Sequence, residues 1–342
     1  MQNNLASKLE SAGYAPLTLT DDRGGQLVVL PTGARIIGAF GPSCPDNAIW
    51  VSPAVFDRDK FLANPGWKNF GGERTWVSPE RELFIKDLRQ PGNSYVVPAV
   101  FDPGAYRVVT TDRRKIVLEN DAQVVSHLSG EKANIRITKE VEILDADHSE
   151  ADCLTYRQSV TLKLLSSTQS LKLGLWNLTQ LPAGGKMLVG TRTKAPFTTY
   201  FGQDTRRRVT LGENFISFAV DAKESHKIGI KADFVTSKLG YLRQAQSDQW
   251  MFYYRSFPAD PKGQYVDTPW NRPEDTGYAV QGYNDGGEYG DFGELEYHSP
   301  AIGGNTGKTE YCDTSTINVF TGAKSDVVDK CRLLMNIDPA RV

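Results

Sequence analysis

The chain has 342 residues, and its 39 basic residues nearly balance 41 acidic ones, leaving a formal net charge of -2. That balance excludes a broad electrostatic lure for nucleic acid or anionic membrane, and the basic triplet Arg206-Arg207-Arg208 is expected to be a solvated turn. No run approaches the roughly 18 apolar residues of a membrane span, so neither a nucleic-acid nor a membrane partner is expected.

The first residues, Met1-Gln2-Asn3-Asn4, lack the basic stretch and apolar run of a secretory leader, and the expected location is the cytoplasm. Residues 1–14 place Leu5 and Leu9 at helical spacing and end at Gly13 in the manner of a helix C-cap. Two β-rich runs, Gln26 to Leu30 and Ala34 to Phe40, flank Pro31-Thr32-Gly33 and predict a hairpin. Residues 41–70 are rich in Pro, Asn, Asp and Gly with Trp50, Phe56, Phe61, Trp67 and Phe70 interspersed, the pattern of irregular chain pinned by aromatic anchors.

From Ser94 to Trp176, short β-branched or aromatic runs alternate with Gly, Asn, Asp or Ser, beginning with Ser94-Tyr95-Val96-Val97 and including separate runs at 115–118 and 123–128. The same texture continues through Phe215 to Val220, Lys227 to Lys231 and Gln249 to Phe257, and 258–291 reads as loop. Short strands without intervening helical patterns predict an all-β antiparallel sandwich rather than a βαβ sheet. Val327, Val328, Cys331 and Leu334 then fall in helical register. No composition break marks a linker, so the expectation is one domain over 1–342: a helical extension over 1–20, the sandwich over 21–324 and a helix over 325–342. Cys44, Cys153, Cys312 and Cys331 form no Cys-x-x-Cys pair and are expected to be reduced and structural.

Two stretches carry the chemistry. Phe292-Gly293-Glu294-Leu295-Glu296-Tyr297-His298-Ser299-Pro300 alternates so that a strand would project Glu294, Glu296 and His298 from one face. Gly71-Gly72-Glu73-Arg74-Thr75-Trp76 offers a guanidinium and an indole beside a glycine pair, and together the two stretches suit a sugar pocket. The run Asn284 to Asp291 offers Asp285, Glu288 and Asp291 as oxygen ligands but lacks EF-hand spacing; it is read as a polar turn, and no metal is expected. Nucleotide-binding, zincin and nucleophile-elbow motifs are absent, and no cofactor is demanded.

Gly71 to Glu80, Trp176-Asn177-Leu178-Thr179-Gln180-Leu181-Pro182-Ala183-Gly184-Gly185, His226-Lys227-Ile228-Gly229 and Gly293 to Pro300 occur in the order seen in uncharacterised bacterial relatives of aldose 1-epimerase. With the opening hairpin, the chain resembles that superfamily over about 26–300. The resemblance implies the galactose-mutarotase-like β-supersandwich, with a short N-terminal helix and a C-terminal helical segment here, whose concave face binds a sugar or oligosaccharide. It implies Glu296 as the base at the anomeric hydroxyl and Arg74 as a binder of sugar hydroxyls. Trp76, Asn177, Gln180, Lys227 and Glu294 join Arg74 as expected substrate-binding residues. Where the family's catalytic histidine stands mid-chain, this sequence reads Trp176 to Gln180, with no histidine. Ring opening needs an acid as well as a base, and amides do not titrate, so His298, Lys227 and His127 are the substitutes, His298 first. Three readings stay open: a sugar epimerase or isomerase, a non-catalytic carbohydrate-binding protein, and a structural β domain.

Overall fold

The computed structural model describes residues 4–145, 152–203, 205–246 and 248–337; His148 and the last five positions of the expected C-terminal helix lie outside them. Among the described residues the strands form two ten-stranded antiparallel sheets. The first runs Leu17–Thr20, Gln26–Leu30, Arg35–Phe40, Glu73–Ser78, Lys172–Pro182, Phe292–His298, Val280–Asn284, His226–Ile230 and Thr198–Phe201, with Ile302–Gly303 paired to the fifth of these. The second runs Val209–Leu211, Phe215–Val220, Gly185–Thr191, Val235–Gln244, Trp250–Ser256, Glu310–Gly322, Cys153–Leu164, Lys132–Leu144, Lys115–Val125 and Arg107–Thr111.

The facing surfaces follow from side-chain alternation. Ile228, Ile230, Leu295 and Tyr297 of the first sheet pack with Ile116, Val141, Tyr156, Met187 and Val319 of the second in one buried cluster. Leu5 and Leu9 of the helix Leu5–Ser11 close one margin against Val28 and Ile37. Val327, Cys331 and Met335 of the helix Lys324–Met335 cover the outside of the second sheet at Phe252 and Phe320.

A charged group spans the two sheets within this core. Glu73 and Arg255, both buried, form an ion pair, and Tyr156 and Tyr253 donate their hydroxyls to Glu73 Oε2 at 2.9 and 3.2 Å. Lys139 lies beside them with its Nζ 3.5 Å from the Glu73 carbonyl oxygen. Burial pushes this ammonium down to about 7, against the pull of Glu73.

Several sequence expectations are corrected. Leu17–Thr20 already belongs to the first sheet, because Leu17 and Leu19 alternate into the core, so the sheet begins inside the segment assigned to a helical extension. Tyr95 and Val96 form no strand: Pro91–Ser94 is a short helix, and Tyr95 makes only an isolated bridge to Ile85. The separate runs expected around Asn120-Asp121 are one strand, Lys115–Val125, whose alternation passes through both polar residues. Within the expected loop over 258–291 lies the strand Val280–Asn284, hidden by Gly282 in its centre. None of the described helices is long and apolar enough to cross a membrane.

Candidate functional site

Register brings the chemistry together on one face of the first sheet. In the pairing, Glu296 stands between Gln281 and Leu178, Glu294 between Tyr283 and Gln180, and His298 beside Trp176. Lys227 pairs with Tyr283, Arg74 with Leu178, and Trp76 with Trp176. Paired positions project to the same side of a sheet. Five neighbouring strands therefore put Arg74, Trp76, Trp176, Gln180, Lys227, Gln281, Glu294, Glu296 and His298 on one surface.

Asn177 is the exception among the expected binding residues. It points to the opposite face, where its Oδ1 accepts from Thr75 Oγ1 at 2.8 Å and its Nδ2 donates to Asp313 Oδ2 at 3.3 Å. It pairs with Tyr297, not with Glu296, and the structure does not bring it to the cluster.

Glu296 is fully buried. Its Oε2 accepts from Trp176 Nε1 at 2.7 Å and lies 3.2 Å from Lys227 Nζ, whereas Oε1 accepts no hydrogen bond within the protein. Burial pushes its carboxyl up to about 8; Lys227 pulls it down, and Glu294 and Glu80 push it further up. Lys227 sits 4.7 Å from the Trp176 ring centroid and 5.5 Å from that of Tyr200. Burial works against its charge, but Glu296, Glu80 and Asp267 more than offset this and hold the ammonium above the ordinary lysine range.

Beside this pair, Arg74 Nη2 and Gln180 Nε2 both donate to Glu294 Oε1 at 2.8 Å. The Arg74 guanidinium lies 4.2 Å from the Trp76 ring centroid and 5.2 Å from that of Trp67. His298 stacks on Trp176 with 5.5 Å between centroids, and neither ring nitrogen has a hydrogen-bond partner in the protein. Burial, with Lys227 nearby, drives its pKa well below the ordinary histidine value, so the ring is neutral. His127, the other substitute acid, is exposed, and its backbone N–H donates to the Glu82 carbonyl.

Sequence reasoning missed residues that complete the cluster. Glu80 opens the short helix Glu80–Leu83, directly after the strand that carries Arg74, and its Oε2 lies 3.6 Å from Lys227 Nζ. Asp267, fully buried, accepts the Glu80 backbone N–H at 2.7 Å and Gln281 Nε2 at 2.6 Å. Tyr95 donates its hydroxyl to Glu80 Oε1 at 3.0 Å. Burial raises the carboxyls of both Glu80 and Asp267. Glu80 closed the Gly71 to Glu80 motif without being given a role, and the loop position of Asp267 offered no sign.

The Gly71-Gly72 pair makes the geometry of Arg74 possible. Both have positive φ, +88° and +86°, and a Cβ on Gly71 would stand 2.4 Å from the Trp50 carbonyl oxygen. The Gly71 carbonyl also accepts Arg35 Nη1 at 2.7 Å. Gly71→Ala is therefore expected to cost at least about 1–3 kcal/mol, since strained φ and a backbone clash act together. Urea denaturation of the variant against wild type measures this.

The polar turn is closed by its own contacts. Asp285 accepts Tyr283 Oη at 2.7 Å and the backbone N–H of Tyr289 at 3.1 Å, which ties the turn to itself. No group of three or more His, Cys, Asp or Glu placed to hold a metal occurs among the described residues. Two surface cavities, of about 490 and 580 Å³, lie away from the cluster, beside Ser7 and Phe56 and beside Thr198 and Leu211.

Comparison with solved structures gives the architecture a precedent. The chain superposes on a Klebsiella pneumoniae protein proposed to be an aldose 1-epimerase with a TM-score of 0.55 and 10% identity, over 95% of this chain and 83% of that one. A GalM/aldose epimerase homologue from C. elegans matches at 0.47 and 11% identity, over 91% and 100% of the two chains. Galactose 1-epimerase from Lactobacillus acidophilus matches at 0.44 and 11%, over 90% and 94%. The likeness to the Klebsiella protein shows that the fold is the galactose-mutarotase-like sandwich the sequence resemblance implied. No curated protein matches the chain in sequence. A family model matches residues 14–338, and the chain belongs to that family, the family of unknown function DUF6786.

Proposed function

We propose that the chain is a carbohydrate-active protein that performs acid–base chemistry at the anomeric centre of an aldose, with Glu296 as the base. The observation that carries this reading is the state of Glu296: a fully buried carboxyl, one oxygen held by Lys227 and the Trp176 indole, the other accepting nothing from the protein. A group that takes a proton from a substrate hydroxyl needs a free lone pair and a pKa near the working pH. Arg74, Gln180 and Glu294 supply hydroxyl-binding groups beside it, and the buried Trp76 and Trp176 rings back the Arg74 and Lys227 cations. The fold shared with the Klebsiella protein supports a sugar as the ligand.

A second reading, a binding protein without catalysis, is favoured by His298, which is neutral and cannot take the proton-donating role of an imidazolium. One experiment separates the two. Thermal stabilisation across a panel of neutral, acidic and phosphorylated aldoses identifies a ligand, and NMR exchange spectroscopy then follows its anomers. Catalysis predicts that wild type accelerates exchange, that Glu296→Gln loses about 10²–10⁴-fold of the rate, and that the wild-type rate climbs with pH as the Glu296 carboxyl, at about 8, ionises. Equal binding to both proteins with no exchange leaves only the binding reading.

A further inference from the structure

A sugar ring opens when one group removes the anomeric proton and another protonates the ring oxygen. The acids that sequence reasoning offered do not suit the second task. His298 is neutral and stacked on Trp176, His127 is exposed to solvent, and Lys227 is held charged by the carboxylates around it.

The structure places another proton carrier there. Glu80 and Glu296 hold the same ammonium, at 3.6 and 3.2 Å from Lys227 Nζ, so their Oε2 atoms are no further apart than those two contacts laid end to end. Glu296 lies on the sheet with a fully covered side chain, whereas Glu80, at the start of the short helix Glu80–Leu83, has a side chain 19% exposed. Charge counting then limits the cluster. Arg74 answers Glu294, which leaves one cation among the described residues, Lys227, beside Glu80, Asp267 and Glu296. Full ionisation of all three would bury uncompensated negative charge, so the group retains protons. Asp267 accepts N–H donors on both oxygens and Glu296 accepts the Trp176 indole N–H, contacts that favour carboxylate. Among the described residues, the Glu80 carboxyl meets the Tyr95 hydroxyl and the longer contact to Lys227.

We propose that Glu80 is the general acid of this site, an inference that rests on the reading of Glu296 as its base. The Glu296 carboxylate takes the anomeric O–H proton, the O–H bonding pair becomes the second C1–O1 bond of the carbonyl, the bond from C1 to the ring oxygen breaks with its pair going to that oxygen, and the ring oxygen takes the Glu80 proton. After rotation about C1–C2 the Glu80 carboxylate removes the new hydroxyl proton, the ring closes on the other carbonyl face, and Glu296 returns its proton to O1. The cycle balances with no further reactant, and Asp267 positions Glu80 through the backbone bond.

The test uses the full chain with α-D-glucose, α-D-galactose, D-glucuronate and D-glucose 6-phosphate as probes, with anomer exchange read by NMR across pH for wild type, Glu80→Gln, Glu80→Asp and Glu296→Gln. The expected result is an exchange loss of about 10²–10⁴-fold in Glu80→Gln, with ligand-induced thermal stabilisation retained. Wild type and Glu80→Asp share an alkaline fall in rate that the residual activity of Glu80→Gln lacks. Should Glu80→Gln be unfolded, Glu80→Asp decides alone: partial activity with the alkaline fall supports the acid role, and wild-type activity without it overturns that role. Undiminished exchange in Glu80→Gln, with Glu296→Gln inactive, overturns the proposal and leaves the base reading standing. No exchange of any probe by wild type overturns both.

Discussion

Glu73→Ala is expected to remove about 3–5 kcal/mol of folding stability, the range for taking one partner from a buried ion pair. Glu73 and Arg255 both lie between the sheets with almost no solvent contact. Truncation leaves the Arg255 guanidinium charged in the core and strips the Tyr156 and Tyr253 hydroxyls of their shared acceptor. Lys139, already pushed down to about 7 by burial, loses the neighbouring carboxylate that favoured its charge and responds by shedding its proton. Arg255 has no such escape, because a guanidinium does not deprotonate in a protein. The urea midpoint measures the loss, and a change below about 1 kcal/mol would mean that water reaches the pair. Glu73→Leu combined with Arg255→Met should recover much of it, since no charge is then left without its counterpart.

That inter-sheet group also marks the limit of what the sequence made legible. Alternation revealed the sandwich and the loaded face of Phe292–His298, because period-two patterning is a local property of each strand. The same rule hid Glu73. It lies next to Arg74 in a strand whose every residue is buried, and burial on both faces removes the polar–apolar contrast that says which way a side chain points. Asn177 was misplaced for the same reason: Lys172–Pro182 is buried almost throughout, and only its register with Phe292–His298 shows that Trp176 and Gln180 share the Glu296 surface while Asn177 turns away. Glu80 and Asp267 were beyond reach for another reason. Glu80 meets Lys227 from the first residue of a short helix and Asp267 joins Glu80 from a loop, positions that no periodic pattern relates.

The cluster around Lys227 makes the second large effect. Lys227→Met is expected to destabilise the fold increasingly as pH rises and, on the proposed role of Glu296, to abolish anomer exchange near neutral pH. In wild type the ammonium is the one cation shared by Glu296, Glu80 and Asp267, each raised by burial. Without it those carboxyls can stay buried only as neutral acids, so their folded-state pKa values climb further above the unfolded ones. A carboxyl with a raised folded pKa stabilises fully below its unfolded value, and that contribution is lost as pH rises through the folded pKa. For Glu296 the wild-type window closes at about 8, and in the variant it extends higher. The variant should therefore match wild type near pH 4–5 and fall behind by about 2–4 kcal/mol at alkaline pH. Urea midpoints from pH 5 to 9 test the sign. A deficit that is constant with pH would show that Lys227 contributes packing against Trp176 and Tyr200 and leaves the carboxyls untouched. A deficit that grows with pH shows that this one ammonium sets the charge state of Glu296 and its neighbours.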